Sequence, residues 1–245
     1  MVRTMCAMAT ANAEIKVLST TAMQKALEPL AAEFERRSGC RVSLHFAPSG
    51  RMAGRVADGE QTDVAIVTAA GIDALIEQGR ILQGSRVDIA RSVIGMAVQR
   101  DAPVPDISTV AAFKRTLLGA KAVAMSHPTG GAQSGAHLAQ VFERLGIADA
   151  MRVKSIYGPG GPAGLVGNYL LRHEAEMGLQ QLPEIMAVPG IEVVGPIPDE
   201  VQLVTVFSAG VSTAAKNPNA AREWIRCLSA PTASHIIRAS GMQPA

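Results

Sequence analysis

Aromatic residues are scarce in this chain: five Phe, two Tyr and one Trp among 245 residues. Surfaces that stack nucleobases or sugar rings are thereby disfavoured. There is no basic stripe either. Lys and Arg number 23 against 21 Asp and Glu, well mixed along the sequence, for a net charge of +2. Nucleic acid is therefore not an expected partner. Although 48% of the residues are hydrophobic, no run approaches the roughly 20 apolar residues that a membrane-spanning helix needs. The three cysteines, Cys6, Cys40 and Cys227, are widely spaced and outside any CxxC pattern. The histidines (His45, His127, His137, His173, His235) show neither HxH nor HExxH spacing. No structural zinc, iron–sulfur cluster or transition-metal centre is expected from such a set, and the thiols read as free and partly buried.

What is present is a repeated strand–turn–helix design. Ile15 to Leu18 is a short apolar strand followed by Ser19, Thr20 and Thr21, after which Met23, Ala26, Leu27, Leu30 and Phe34 recur at helical spacing up to Gly39. Pro29 is expected to kink this helix or to mark where its regular part begins. Val42, Leu44 and Phe46 alternate with polar residues as a second strand, which ends in Pro48-Ser49-Gly50 before a helix over 51–58. Val64 to Val67 forms a third strand, with a helix running from Ile72 to Gly79. Later come an apolar run at 93–98, a helix opened by Ser108, a strand at 153–157, a helix at 165–172 and a strand at 177–181 ending in Gln180 and Gln181. Val201 to Val211 reads as one long strand, and Trp224 lies on the apolar face of the last long helix. Successive βα units at this spacing predict a parallel, doubly wound α/β sheet.

The segment Ser126 to Gly135 (SHPTGGAQSG) joins an apolar strand, 122–125, to a helix that carries Leu138, Val141, Phe142 and Leu145 on one face and stops at Gly146. A glycine-rich turn before a helix leaves backbone N–H groups aimed outward at the positive end of the helix dipole. It holds an anion without a full positive charge. Thr129 and Ser134 add hydroxyl donors. The glycines are expected to let a ligand approach the backbone.

Five stretches carry a resemblance that covers nearly the whole chain from Ile15 onward: IKVLSTTAM, the Pro48-Ser49-Gly50 turn, DVAIVTAAGIDALIEQGRI, SHPTGGAQSGAHLAQVFERLGI and MGLQQLPEIMAVPGIEVVGPIP. They resemble the type 2 periplasmic solute-binding proteins (bacterial extracellular solute-binding family 11), most closely the branch of molybdate-binding components of ABC transporters. The resemblance implies two Rossmann-like α/β lobes gripping a ligand in the cleft between them. Lobe 1 would be 14–92 plus 206–245 and lobe 2 would be 93–205, with crossovers near 91–94 and 203–208. It implies neutral donors for a small anion: Ser19 or Thr20, Ser49 with Gly50, the Gly131, Ala132, Gln133 and Ser134 region, and Gly160 with Gly161. Where molybdate binders place a tyrosine, this chain has Gln180 or Gln181, amides that both donate and accept.

The Gln pair and the Leu-Pro-Glu-Ile segment also look like a side branch that includes aconitate isomerase. Two functions therefore stay open. One is the substrate-binding component of an ABC importer, docking on a membrane subunit and binding a molybdate-like oxyanion or a small organic carboxylate. The other is a cofactor-free isomerase of a small polycarboxylate. An isomerase needs a titratable side chain in the cleft. His127, at the end of its strand, is the first candidate, with His45 and Glu184 behind it. A polycarboxylate also calls for a basic residue, and Arg51 is the best placed, with Arg55 one turn later. No cofactor is expected and a monomer is expected. Residues 1–13 end in Ala11-Asn12-Ala13, which looks like a signal-peptidase site, yet the apolar core of a secretory signal is missing. The expectation is a periplasmic protein whose precursor begins further upstream, or else a cytoplasmic one.

Overall fold

The computed structural model describes residues 13–245; the reading of a signal-like start, and Cys6, fall on residues outside that span. The first sheet is built from β1 (Glu14–Thr20), β2 (Arg41–Ala47), β3 (Val64–Thr68) and β4 (Val87–Ser92), with helices α1 (Gln24–Ser38), α2 (Ser49–Ala57) and α3 (Ala69–Glu77) between them. The second sheet takes β5 (Ile94–Gln99), β6 (Val123–Ser126), β7 (Ser155–Gly158), β8 (Met177–Gln181) and β9 (Ile191–Pro196). Its helices are α4 (Val110–Gly119), α5 (Gln133–Arg144), α6 (Ala148–Lys154), α7 (Gly167–Leu171) and α8 (Leu182–Ile185). The chain then returns to the first sheet with β10 (Thr205–Val211), α9 (Pro218–Leu228), α10 (Ser234–Ala239) and the short β11 (Gln243–Pro244). Strand order is β11-β4-β10-β3-β1-β2 in one sheet and β7-β6-β8-β5-β9 in the other.

β1 pairs in parallel with β2 and β3, and β6 with β7 and β8. The sheets are nevertheless mixed, because β10 runs antiparallel to β3 and β4, and β5 antiparallel to β8 and β9. The antiparallel strands are those that the chain enters directly from the other sheet, without a crossover helix to reverse direction. Helices cover both faces of each sheet. On the first, Trp224 of α9 is fully buried and meets the Phe34 ring of α1 edge-on at 5.3 Å, while Leu18, Met52, Val67 and Ile72 pack on the opposite face with α2 and α3. The glycines that close the early helices do so in the left-handed region: Gly39 (φ 72°), Gly59 (φ 90°), Gly79 (φ 68°) and Gly146 (φ 66°).

Several sequence expectations change. α1 continues through Pro29 and is preceded by a 3-10 turn, Thr21–Met23. Thr109, not Ser108, caps α4, its hydroxyl accepting from Ala112 N–H, while Ser108 donates to Asp106. Val153 and Lys154 end α6 rather than begin a strand, and Val153 is 90% exposed. The long strand read at 201–211 is interrupted. Asp199–Val201 is a 3-10 turn and pairing starts only at Thr205. The cause is Gln202. Its Oε1 accepts from the N–H groups of Ile94 (2.8 Å) and Leu203 (2.9 Å), and its Nε2 donates to the carbonyls of Ile94 (3.0 Å) and Ile197 (3.1 Å). One amide thus holds both segments that connect the sheets, since only Val93 separates β4 from β5. We propose the lobe division 14–92 plus 206–245 and 93–205 on this topology. Cys40 is buried and Cys227 half-buried, and neither is in a disulfide.

Candidate functional site

Parallel strands expose their carboxyl ends where βα turns converge, and in this molecule the ends of β1, β2 and β3 face those of β6, β7 and β8. The cavity between them has a volume of ≈ 20 Å³. Thr20 lines it from β1. Ser19, one residue earlier on the alternating strand, does not, and its hydroxyl turns to the Thr20 carbonyl. Ser49 lines it from the start of α2 and accepts from Thr68 N–H at 3.0 Å, which fixes its hydroxyl against the end of β3. Ala132, Gln133 and Ser134 contribute the first turn of α5, and Gly160 and Gly161 the loop after β7. Gln180 and Gln181 close the second sheet's side. Gln180 Oε1 accepts from Val166 N–H (2.9 Å), and Gln181 Nε2 donates to Thr205 Oγ1 (3.0 Å). The Ser134 hydroxyl and Gln181 Oε1 are buried in this wall with no protein partner, as is the neighbouring Thr21 hydroxyl. Buried polar atoms are rarely left so, and those of Ser134 and Gln181 lie where a ligand would meet them.

The glycines also bring the two sides of the cleft together. Gly50 N–H donates to Gly131 O across the cleft at 2.8 Å, and Gly131 has φ 85°. A side chain on Gly131 would come within 3.1 Å of Arg51 N, and one on Gly160 within 2.6 Å of Pro48 Cγ. Gly50, Gly131 and Gly160 let the two lobes touch, so the lobes are closed on one another. Gly50, Gly131 and Arg51 do not line the inner cavity. Arg55 turns away to Glu60, with Nε–Oε2 at 2.5 Å and Nη2–Oε1 at 2.6 Å. His127 is exposed, its Nδ1 beside the Thr129 hydroxyl (3.0 Å) and its ring edge-on to Tyr157 at 4.9 Å. It stands in a separate outer chamber of ≈ 350 Å³ with Arg51 and Tyr157. His45 pairs with Ser43 on β2, away from the cavity, and His137 contacts Val201 O from α5.

The titratable group that does reach the inner cavity is Glu184. It occupies the third position of α8, where a glutamate reaches back to the N–H of the residue before the helix; its carboxylate has this bond to the Gln181 backbone. Burial outweighs that bond and pushes its carboxyl up to about 8. Ser126, Thr68, Thr205 and Phe207 also line the cavity and were not picked out from the sequence. Ser126 and Thr68 end strands that precede helices, the signal that did single out Thr20. Thr205 gives no such signal, because the return from the second sheet puts it there. The wall as a whole is a set of hydroxyls, amides and helix N-termini around one buried carboxyl. Among the described residues no cluster of His, Cys, Asp or Glu has the arrangement to hold a metal ion.

Residues 15–243 match the bacterial extracellular solute-binding protein family. An aconitate isomerase from a Pseudomonas species is 35% identical over 236 residues, covering 94% of this chain and 87% of that protein. Among solved structures, the periplasmic molybdate-binding protein of Azotobacter vinelandii superposes with a TM-score of 0.78 at 21% identity, over 93% of this chain and 98% of its own. The sulfate-binding protein of Mycobacterium tuberculosis reaches 0.74 at 14% identity, over 96% and 88%. At these identities the structures speak for the two-lobed fold, and the sequence match over nearly the whole length speaks for descent. The chain belongs to the bacterial extracellular solute-binding protein family, and its role is to bind a substrate.

Proposed function

We propose that the protein is an isomerase of a small unsaturated polycarboxylate, of the aconitate type, in which Glu184 takes a proton from carbon and returns it. The observation that carries this reading is the Glu184 carboxyl, buried in the cavity wall and pushed up to about 8. An oxyanion receptor could use that group only while it is protonated, since it repels the ligand once ionised. Proton transfer at carbon calls for an acid–base whose pKa lies near the working pH. The 35% identity to an aconitate isomerase over 94% of the chain supports the same reading.

As a carboxylate, Glu184 removes a proton from the methylene carbon beside the double bond. The electron pair spreads over the three-carbon allyl unit and its carboxylates, and the same carboxyl, now protonated, delivers the proton to the far carbon. One C–H bond breaks, one forms, the double bond moves by one position, and the proton count is unchanged. Thr20, Ser49 and Ser134 supply donors for the charge that develops on the substrate carboxylates. Closure at Gly50 and Gly131 keeps water from the carbanion.

A second reading is a receptor for a tetrahedral oxyanion that serves an ABC importer in the periplasm. The neutral hydroxyl and amide wall and the small inner cavity favour it. Proton NMR of trans-aconitate in D2O with the purified protein separates the two. The proposal expects appearance of the cis isomer, deuterium at carbon, and a fall in kcat of about 100-fold or more in Glu184→Gln. No isomerisation and no exchange, with molybdate or tungstate alone raising the melting temperature, would overturn it.

A further inference from the structure

The inner cavity of this closed form, ≈ 20 Å³, is too small for a six-carbon tricarboxylate, so the lobes must part to admit one and the inner wall then holds only its reacting end. Beside this cavity lies the outer chamber of ≈ 350 Å³, and the two share Pro48, Ser126, Ala132 and Gly160 as a common wall. The outer chamber carries what the inner one lacks, a permanent cation. Arg51 lines it and has no ion pair among the described residues. Its position is electrostatically unfavourable. It is the third residue of α2, a helix with no acidic residue in its first turn, so the guanidinium adds to the positive end of the helix dipole. The Tyr157 ring and the His127 imidazole that packs against that ring line the same chamber.

We propose that the outer chamber is a second anion subsite, which takes the distal carboxylate of an extended ligand whose other end occupies the inner cavity. Arg51 reads that carboxylate through its two-pronged guanidinium, the Tyr157 hydroxyl adds a donor, and the lone cation in the first turn of α2 is thereby neutralised. The subsite makes the protein selective for di- and tricarboxylates over ions with a single anionic group. This rests on the proposed isomerase only for the chemical class of the ligand, since binding at two points requires no turnover.

The test is calorimetric binding of trans-aconitate, fumarate and crotonate to wild type, Arg51→Gln, Arg51→Lys and Tyr157→Phe, with circular dichroism confirming that each variant folds. Crotonate has one carboxylate and reports the inner site alone. The expected result is that Arg51→Gln weakens trans-aconitate and fumarate by roughly 10- to 100-fold, with crotonate changed by less than about twofold. Arg51→Lys should recover part of the loss, because it restores charge without the fork. Equal weakening of all three ligands, an unchanged trans-aconitate affinity, or no binding of any di- or tricarboxylate would each overturn the subsite. Binding of trans-aconitate that depends on Arg51 but proceeds without isomerisation would overturn the isomerase and leave the subsite standing.

Discussion

Replacing Glu184 by Gln should stabilise the protein, and by an amount that grows with pH. Glutamine keeps the reach back to the Gln181 N–H, so the helix start is preserved. What it removes is the cost of ionising a buried carboxyl. In the unfolded chain that carboxyl titrates near 4.5, and burial moves it to about 8 in the folded protein. Between those values the folded state holds a proton that the unfolded state has lost, so stability falls as pH rises and levels off above about 8. At about 1.4 kcal/mol per pH unit, the advantage of Glu184→Gln over wild type should be under about 1 kcal/mol at pH 5 and about 3 kcal/mol at pH 7. Above pH 8 it should reach about 5 kcal/mol. Urea unfolding of both proteins at pH 5, 7 and 9 measures this directly. Activity should move the other way, with kcat/KM of wild type rising through pH 8 as the carboxylate base forms. A stability difference that stays flat within about 0.5 kcal/mol from pH 5 to 9 would refute the burial argument, and the assignment of Glu184 as proton carrier with it.

Three other perturbations follow from the same geometry. Gly131→Ala places a Cβ 3.1 Å from Arg51 N on a backbone at φ 85°. It should oppose lobe closure and weaken ligand binding about tenfold or more, visible by calorimetry and as a larger radius in solution scattering. Trp224→Ala empties the fully buried site against Phe34 and should cost about 3–5 kcal/mol in urea unfolding, with any ligand affinity at saturating folded protein unchanged. Glu60 is held down to about 2, chiefly by its bond to Arg55 and then by Lys16. Its stabilisation is present above about pH 4.5 and lost as pH falls toward 2. With 30% of the side chain exposed, Glu60→Gln should cost only about 1 kcal/mol at pH 7, and the difference should vanish in acid-unfolding curves near pH 2.

Much of the fold was legible because local and tertiary preferences agree. Gly39, Gly59, Gly79 and Gly146 end helices where the apolar spacing stops, and each does so at positive φ. β8 was readable to the residue from Met177 to Gln181. Where local pattern failed, a tertiary contact or a weak element was in command. α6 is only seven residues and presents Val153 to solvent, so its Val-Lys-Ser-Ile-Tyr continuation looks like a strand. β9 is an edge strand with no buried residue, half of it exposed, and a Gly-Pro pair, which hides it. The site divides the same way. Hydroxyls and amides at strand ends, such as Thr20, Ser49 and Gln181, could be placed by topology alone. Arg51 and His127 were read toward the ligand but line the outer chamber and not the inner cavity. Glu184 ranked low, since nothing in a Leu-Pro-Glu-Ile string reveals that its helix start is buried.

The amide of Gln202 bears on motion as much as on shape. Four hydrogen bonds from one side chain bind Ile94 on the outgoing segment and Ile197 and Leu203 on the return. The two connections are therefore a single bearing rather than two independent strings. Rotation about their common line leaves the bonds intact, whereas sliding one segment along the other breaks the two to Ile94 together. Opening and closing is thereby reduced to a swing about one axis, so Gly50 and Gly131 meet again in the same register after every cycle.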